Sequence, residues 1–257
     1  MDIETIPLAT GILLTLAGFA GGLIDSIAGG GGLITVPALL AAGLPPSVAL
    51  GTNKLQSVFG TSIAVSRYAK AGLMGTPGIL TACLTAASAG AAGAWAVTKI
   101  APDLLRHLIP WLLAIVAIYT AMNRHFGKTA GPARMEPVTL ALTGGLLLGF
   151  YDGFFGPGAG SFWTVALVGL LGLDLRQATG YTKAANLASN LGALAFFLVH
   201  GSVHLTAAAC MIAGQLLGAR LGSGLVLGHG ISIIRPVFLT VVFALTLKLM
   251  HQAWTTP

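Results

Sequence analysis

Long apolar runs, broken by glycine and proline clusters and by a few charged positions, dominate this 257-residue chain. Ten apolar segments can be traced. They run roughly 6–26, 30–43, 47–70, 76–98 and 104–122, then 137–155, 159–173, 177–199, 203–227 and 232–252. A helix that crosses the hydrocarbon of a bilayer needs about 20 residues. All but 30–43 and 159–173 come close to that length. Those two short segments begin in the glycine clusters Gly29–Gly32 and Gly156–Gly160 and read as half-helices or tilted, broken spans. The hydrophilic stretch from Asn123 to Pro137, with Arg124, Lys128, Arg134 and Glu136, separates two sets of five.

Sliding the chain on itself by 129 residues places the second set on the first. Gly31, Thr35 and Val36 fall on Gly160, Thr164 and Val165, Gly43-Leu44 on Gly172-Leu173, Gly51 on Gly180 and Lys54 on Lys183. Gly72, Gly93 and Arg106 fall on Gly201, Gly222 and Arg235. With a two-residue indel, Gly18-Phe19 also meets Gly149-Phe150. A register kept across half the chain marks a duplicated unit. The expected organisation is a first membrane repeat at 1–123, a cytoplasmic linker at 124–136 and a second membrane repeat at 137–257.

Composition then sets the class. Hydrophobic residues make up 55% and charged residues 8%, with mean hydropathy +0.88. A soluble domain carries about 25% charged residues, so the expected fold is an all-α integral membrane protein, multi-pass. The 36 glycines and 12 prolines fit membrane helices better than soluble ones. Asp2 and Glu4 precede the first apolar run where a secretory signal would carry Lys or Arg, so that run reads as a membrane segment. Cys83 and Cys210 lie inside apolar runs without CxxC or zinc spacing and read as small buried hydrophobes, not a disulfide. No metal site is expected. The net charge of +6 comes from scattered Lys and Arg, not from a basic face for nucleic acid.

Those cations speak to topology instead. Five crossings per half make the repeats inverted. With the linker in the cytoplasm, Arg67, Lys70, Arg124, Lys128, Arg134, Arg176 and Arg235 are then inside, and only Lys99, Arg106 and Lys248 outside. If the short segments dip in and return, the repeats are parallel and the bias weakens. The positive-inside rule therefore favours inversion. Gly18-xxx-Gly22, Gly218-xxx-Gly222 and Gly224-xxx-Gly228 predict close helix contacts.

Four ionisable residues sit where lipid would surround them. Lys54 and Lys183 occupy matching positions in the third segments, and Asp25 and Asp152 close the first segments. Each charge at the bilayer centre costs about 2.5–3.5 kcal/mol on insertion scales, so the four must pair or face water. Lys54, Ser57 and Thr61 share one helical face, as do Lys183, Asn186 and Asn190; Asn53 and Gln56 widen the first stripe. Such stripes suit a lined cavity for an anion. Short helices starting at Gly30 and Gly31, or at Gly158 and Gly160, would add backbone N–H donors and a positive dipole end. Asp25 and Asp152 are candidate proton carriers. On the competing reading, Asp25–Lys54 and Asp152–Lys183 are ion pairs that tie the first and third segments of each half. Arg106 and Arg235 read as snorkelling anchors, and Arg220 breaks the repeat. His200, His204 and His229 read as interface residues, and Trp95, Trp111, Trp254 and Tyr119 as interfacial or core aromatics.

The glycine clusters carry a resemblance. The stretch from Gly18 through Asp25, Gly29-Gly30-Gly31-Gly32 and Thr35 to Pro37, followed by Gly51-Thr52-Asn53-Lys54-Leu55-Gln56-Ser57, resembles the N-terminal signature of the TauE/SafE family. Gly149 through Asp152 and Gly156-Pro157-Gly158-Ala159-Gly160-Ser161, with Thr182-Lys183, Asn186 and Ser189-Asn190, resembles its second glycine motif. The resemblance spans essentially the whole chain. It implies a permease of the bacterial cell inner membrane for sulfur-containing anions such as sulfite or organosulfonates.

No HExxH, no GxSxG and no phosphate loop ending in GK[ST] occurs, so nothing points to an enzyme or to a cofactor. The expected activity is secondary transport of a small sulfur anion by alternating access around a central site between the repeats. The rival readings are an anion channel using the same lysines and a membrane scaffold whose polar stripes are structural.

Overall fold

In this computed structural model, residues 6–104, 111, 115 and 131–228 are described. Among them the regular structure is helical: α1 (Leu8–Ala28), α2 (Gly32–Ala41), α3 (Pro46–Lys70), α4 (Ile79–Val97), α5 (Pro137–Phe154), α6 (Ala159–Leu171), α7 (Leu175–Val199) and α8 (Leu205–Gly228). These match the first four predicted segments of each set to within a few residues. The predicted segments 104–122 and 232–252 fall outside the described residues apart from Leu104, Trp111 and Ile115. With them go Arg106, Arg124, Lys128, His229, Arg235, Lys248, Tyr119 and Trp254.

Local sequence explains where the helices start and stop. Pro46 and Pro137 stand in the first turns of α3 and α5, where a missing N–H costs nothing. Asp174 caps α7, its carboxylate accepting from the backbone N–H groups of Arg176 at 2.9 Å and Gln177 at 3.0 Å. Gly29 ends α1 at φ 73°, the left-handed region that an L side chain resists.

Among the described residues three helices, α1, α4 and α8, are long and apolar enough to cross a membrane. Their outer faces expose Leu8, Leu13, Leu16, Leu80, Leu84, Leu217 and Leu221, the lipid-facing pattern of a chain that hides its polar groups inside. Helices α3 and α7 have 25 residues each, but their polar stripes lower their hydropathy. Helices α2 and α6, at 10 and 13 residues, are about 15 and 20 Å long and do not span about 30 Å of hydrocarbon alone.

Glycine contacts fix the helix directions. Gly18 backs onto Met211, Gly22 onto the Gln215 carbonyl and Gly222 onto Leu23, so α1 and α8 run the same way. Gly60 meets Gln215 and Gly224 meets Arg67, which aligns α3 with them. Gly78 meets Pro137, Gly149 meets Ala86 and Gly153 meets Gly90, so α4 and α5 share a direction; Gly192 against Ala87 adds α7. Gly51, near the start of α3, lies against Phe197 at the end of α7, so the two sets point opposite ways. The short helices return along their predecessors: the Gly31 N–H faces Asp25, while Leu39 packs in one cluster with Leu14, Ala49 and Met211. Such close approaches need the missing Cβ, as expected for helix packing in a bilayer.

One expectation changes here. Met211 and Gln215 lie 129 residues after Ala82 and Ala86, and Gly145 stands opposite Ala82 as Gly18 stands opposite Met211. The contacts thus align Gly18 with Gly145 and Asp25 with Asp152, not Gly18 with Gly149. Glycines recurring every four residues at 145, 149 and 153 make a one-turn slip invisible in the letters.

Candidate functional site

The start of α2, the start of α6 and the C-terminal end of α1 converge. A Cβ on Gly160 would stand 2.5 Å from the Gly29 Cα, and one on Gly32 would stand 3.1 Å from the Pro157 Cα, so the two glycine loops lie in direct backbone contact. The Ser161 hydroxyl donates to the Ala28 carbonyl at 3.0 Å, and the Tyr151 hydroxyl to the Pro157 carbonyl at 2.7 Å. Gly158 adopts φ 82° immediately before α6, which turns the loop into that helix. Gly30, Gly31, Gly158 and Gly160 are all buried here.

Both lysines reach this junction, and each pairs across it. Lys54 Nζ lies 2.7 Å from Asp152 Oδ1 and also donates to the Asp152 carbonyl. Lys183 Nζ lies 3.0 Å from Asp25 Oδ2. The pairing expected within each half, Asp25 with Lys54 and Asp152 with Lys183, is therefore corrected to a crossed one. The reason is the loop contact: Gly29 at the end of α1 abuts Gly160, Gly32 abuts Pro157 and Gly156 lies against Lys54 Nζ, so the end of each first helix meets the glycine loop and third helix of the other half. Lys54 and Lys183 each sit about 12 Å from the start of their helices, Lys54 against Gly156 and Lys183 one turn before Asn186, whose amide faces Gly160.

The surroundings differ. Asp152 Oδ2 accepts from the Ser189 hydroxyl, and its side chain is 5% exposed. Asp25 Oδ1 accepts one long hydrogen bond among the described residues, from the Gly31 N–H at 3.4 Å, and its side chain is 18% exposed. Along the polar stripes, Thr35 Oγ1 donates to Asn53 Oδ1 at 2.5 Å, and Gln56 Nε2 donates to Asn53 Oδ1 at 2.9 Å and to Ser57 Oγ at 3.0 Å. Thr164 and Thr182 hydroxyls meet at 3.3 Å. Thr61 Oγ1 and Asn186 Oδ1 are buried with no hydrogen-bond partner among the described residues, and Asn190 is buried nearby on the same face of α7.

The predicted residues thus divide into those gathered at the junction and those set along the stripes. Asp25, Asp152, Lys54, Lys183, Asn186 and the four glycines come together. Ser57 is held within α3 by Gln56, and Thr61 lies a turn further along. Arg220 is exposed, and Lys99 sits 5.7 Å over the exposed Trp95 ring, as interfacial residues would. Sequence reasoning missed the roles of Ser189 and Gln215. Ser189 was legible at three residues past Asn186, on the lysine face. Gln215, which fills the space beside Gly60, carried no signal beyond being one amide in an apolar helix. Among the described residues no cluster of His, Cys, Asp and Glu could hold a metal.

The family profile described as sulfite exporter TauE/SafE matches residues 14–249. The chain is 41% identical to the probable membrane transporter protein ORF9 of Sinorhizobium sp, covering 92% of this chain and 91% of that one. It is 39% identical to the probable membrane transporter protein YfcA of Escherichia coli K12, over 96% and 91% of the two chains. A probable membrane transporter protein of Haemophilus influenzae is 36% identical over 99% of both. No solved structure matches at a significant level.

Proposed function

The chain belongs to the TauE/SafE sulfite exporter family of membrane transporters, and from that premise we propose that it moves a small sulfur oxyanion, sulfite or an organosulfonate, across the bacterial inner membrane. The observation that carries this reading is the pair of crossed, buried ion pairs flanking the contact between two glycine loops. A lysine buried in an apolar helical protein is costly, and lysines that converge with helix N-termini make a site for an anion.

The two halves act as inverted repeats in this reading. The opposite directions of α1 and α5 support it, as does the pairing of α1 with α8 and α5 with α4. So does the distribution of cations: Arg67, Lys70, Arg134 and Arg176 collect at one end of the helices and Lys99 at the other. By the positive-inside rule the first end is cytoplasmic. The anion binds at the glycine junction. Lys54 and Lys183 balance its charge, Ser57, Thr61, Asn186 and Asn190 line its path, and Gly30, Gly31, Gly158 and Gly160 let it approach the backbone. Asp25 and Asp152 are the candidate carriers of a coupling proton, and the contact between the loops opens alternately to each side.

The test is sulfite flux into proteoliposomes with and without an imposed pH gradient, for wild type, Lys54→Gln and Lys183→Gln. Flux in wild type that responds to the gradient, and its loss in lysine variants that remain folded, is the expected result. Flux that ignores the gradient and fails to saturate favours a channel. Normal flux in both folded variants refutes the anion site.

A further inference from the structure

The two ion pairs are closed to different degrees. Lys54 has two acceptors on Asp152, the carboxylate and the backbone carbonyl, and Ser189 takes the remaining carboxylate oxygen. Lys183 spends one of its three N–H donors on Asp25, and among the described residues no second acceptor is recorded for it although the residue is fully buried. One turn on, Asn186 is 6% exposed, with Oδ1 unpartnered and its amide against Gly160. The difference has a sequence origin. In the 129-residue register the counterpart of Ser189 is Gly60, where the Gln215 side chain fills the space instead. Asp25 therefore lacks the hydroxyl that locks Asp152, and its carboxylate is the more exposed of the two.

We propose that the pairs divide the work: Lys183–Asp25 is the exchangeable half of the site, and Lys54–Asp152–Ser189 stays closed as a strut in the same step. The Asp25 carboxylate, held by Lys183 and facing the Gly31 N–H, occupies the place of the substrate anion. A hydronium ion from the open side gives its proton to Asp25: one O–H bond of hydronium breaks, one forms on the carboxylate, water leaves, and the charge of Asp25 is cancelled. Lys183 then pairs with one monoanionic sulfur oxyanion, which also meets the Asn186 amide and the start of α2. No other bond forms or breaks. The charge of the cluster stays zero, so one proton accompanies one monoanion and the cycle is electroneutral.

The groups around Asp25 leave Lys183 as the charge that matters. Helices α2 and α6 contain no titratable residue. Helix α3 brings Tyr68, whose hydroxyl donates to the Ser26 carbonyl at 2.6 Å, with Arg67 beside it. Helix α8 brings the uncharged Gln215 near Gly22, and its Arg220 is exposed.

This inference rests on the transport reading, and the experiment separates the two. Full-length wild type, Asp25→Asn and Asp152→Asn are reconstituted, with sulfite and ethanesulfonate as probes; the sulfonate keeps its charge as pH changes. Asp25→Asn is expected to lose gradient-driven accumulation, while its anion exchange no longer falls as pH is raised. Asp152→Asn is expected to lose both modes and to show the larger drop in thermal midpoint in detergent. Accumulation retained in Asp25→Asn, or the two variants alike in exchange and midpoint, overturns the division of work. If wild type moves neither probe, the transport reading fails, and equal midpoints then overturn the inequivalence independently of flux.

Discussion

Crossed pairing makes a prediction that depends on no substrate. Replacing Lys54 by Gln leaves the Asp152 carboxylate buried, 5% exposed, with Ser189 as its remaining side-chain donor. Breaking a buried pair from one side costs about 3–5 kcal/mol, because the stranded charge keeps its desolvation penalty. Gln retains an amide that can still donate, so Lys54→Gln is expected near the lower end, about 3 kcal/mol. Asp152→Asn strands an ammonium that is 1% exposed and is expected nearer the upper end, about 5 kcal/mol. At about 2–4 °C per kcal/mol for a chain of this size, the unfolding midpoints fall by about 6–20 °C. Removing both charges removes the penalty with its cause, and the double variant is expected to lose only about 1–2 kcal/mol. The coupling energy is then about 6–7 kcal/mol, far above the scatter of independent sites. The assay is a double-mutant cycle on thermal midpoints in detergent, run for Lys54 with Asp152 and, in parallel, for Lys54 with Asp25. Additive losses in the first cycle, or a larger coupling in the second, refute the crossed arrangement.

Three further outcomes follow from the same geometry. Gly160→Ala drives a Cβ to 2.5 Å from the Gly29 Cα and 2.9 Å from the Asn186 amide, so it is expected to abolish transport or folding, whereas Gly75→Ala, with nothing within 4 Å, stays within about 0.5 kcal/mol of wild type in thermal melts. Ser189→Ala removes one donor from a buried carboxylate and is expected to cost about 1–3 kcal/mol; an unchanged midpoint removes Ser189 from the strut. A Cβ at Gly11 stands 3.5 Å from Cys210 Sγ, so Gly11→Cys in a Cys83→Ser background is expected to oxidise to a disulfide with the native Cys210, read as a reducible bridge between fragments cut in the α4–α5 connection. Failure to bridge refutes the shared direction and register of α1 and α8.

Much of this architecture is legible in the letters, because the bilayer imposes strong rules. Apolar runs mark the helices to within a few residues, and the two short runs behind Gly29–Gly32 and Gly156–Gly160 become α2 and α6. Lys54 and Lys183 declare themselves as charges that need partners. Which partners they take is not a property of segment order: Asp25 and Lys54 belong to neighbouring segments, yet the end of α1, whose glycine face lies along α8, meets the Gly156–Gly160 loop of the second half. That face is written in the sequence as Gly18-xxx-Gly22 and Gly218-xxx-Gly222, but such motifs name a surface without naming its partner. The same degeneracy hides the alignment of Gly18 with Gly145. The roles of Ser189, whose place on the lysine face is legible, and of Gln215, which carries no signal, are hidden for another reason. Their effect arises from one substituted position, Gly60 against Ser189, whose meaning appears only when both carboxylates are in place.

The crossing also constrains motion. A pair within one half would travel with that half as a rigid unit and report nothing about the other. A crossed pair spans the interface, so any displacement of one half against the other must stretch Lys54–Asp152, Lys183–Asp25 or both. Buried pairs add little net stability compared with apolar packing, but a misplaced one is expensive, so they hold register more than they hold energy. Two such pairs of equal strength would clamp the halves symmetrically and leave no preferred place to open. With one carboxylate bound on both oxygens and the other on one oxygen with a long backbone contact, the cheaper rupture lies at Asp25. In the proposed cycle that rupture frees Lys183 beside the Gly31 N–H, where another anion replaces the lost carboxylate without leaving a buried charge unbalanced.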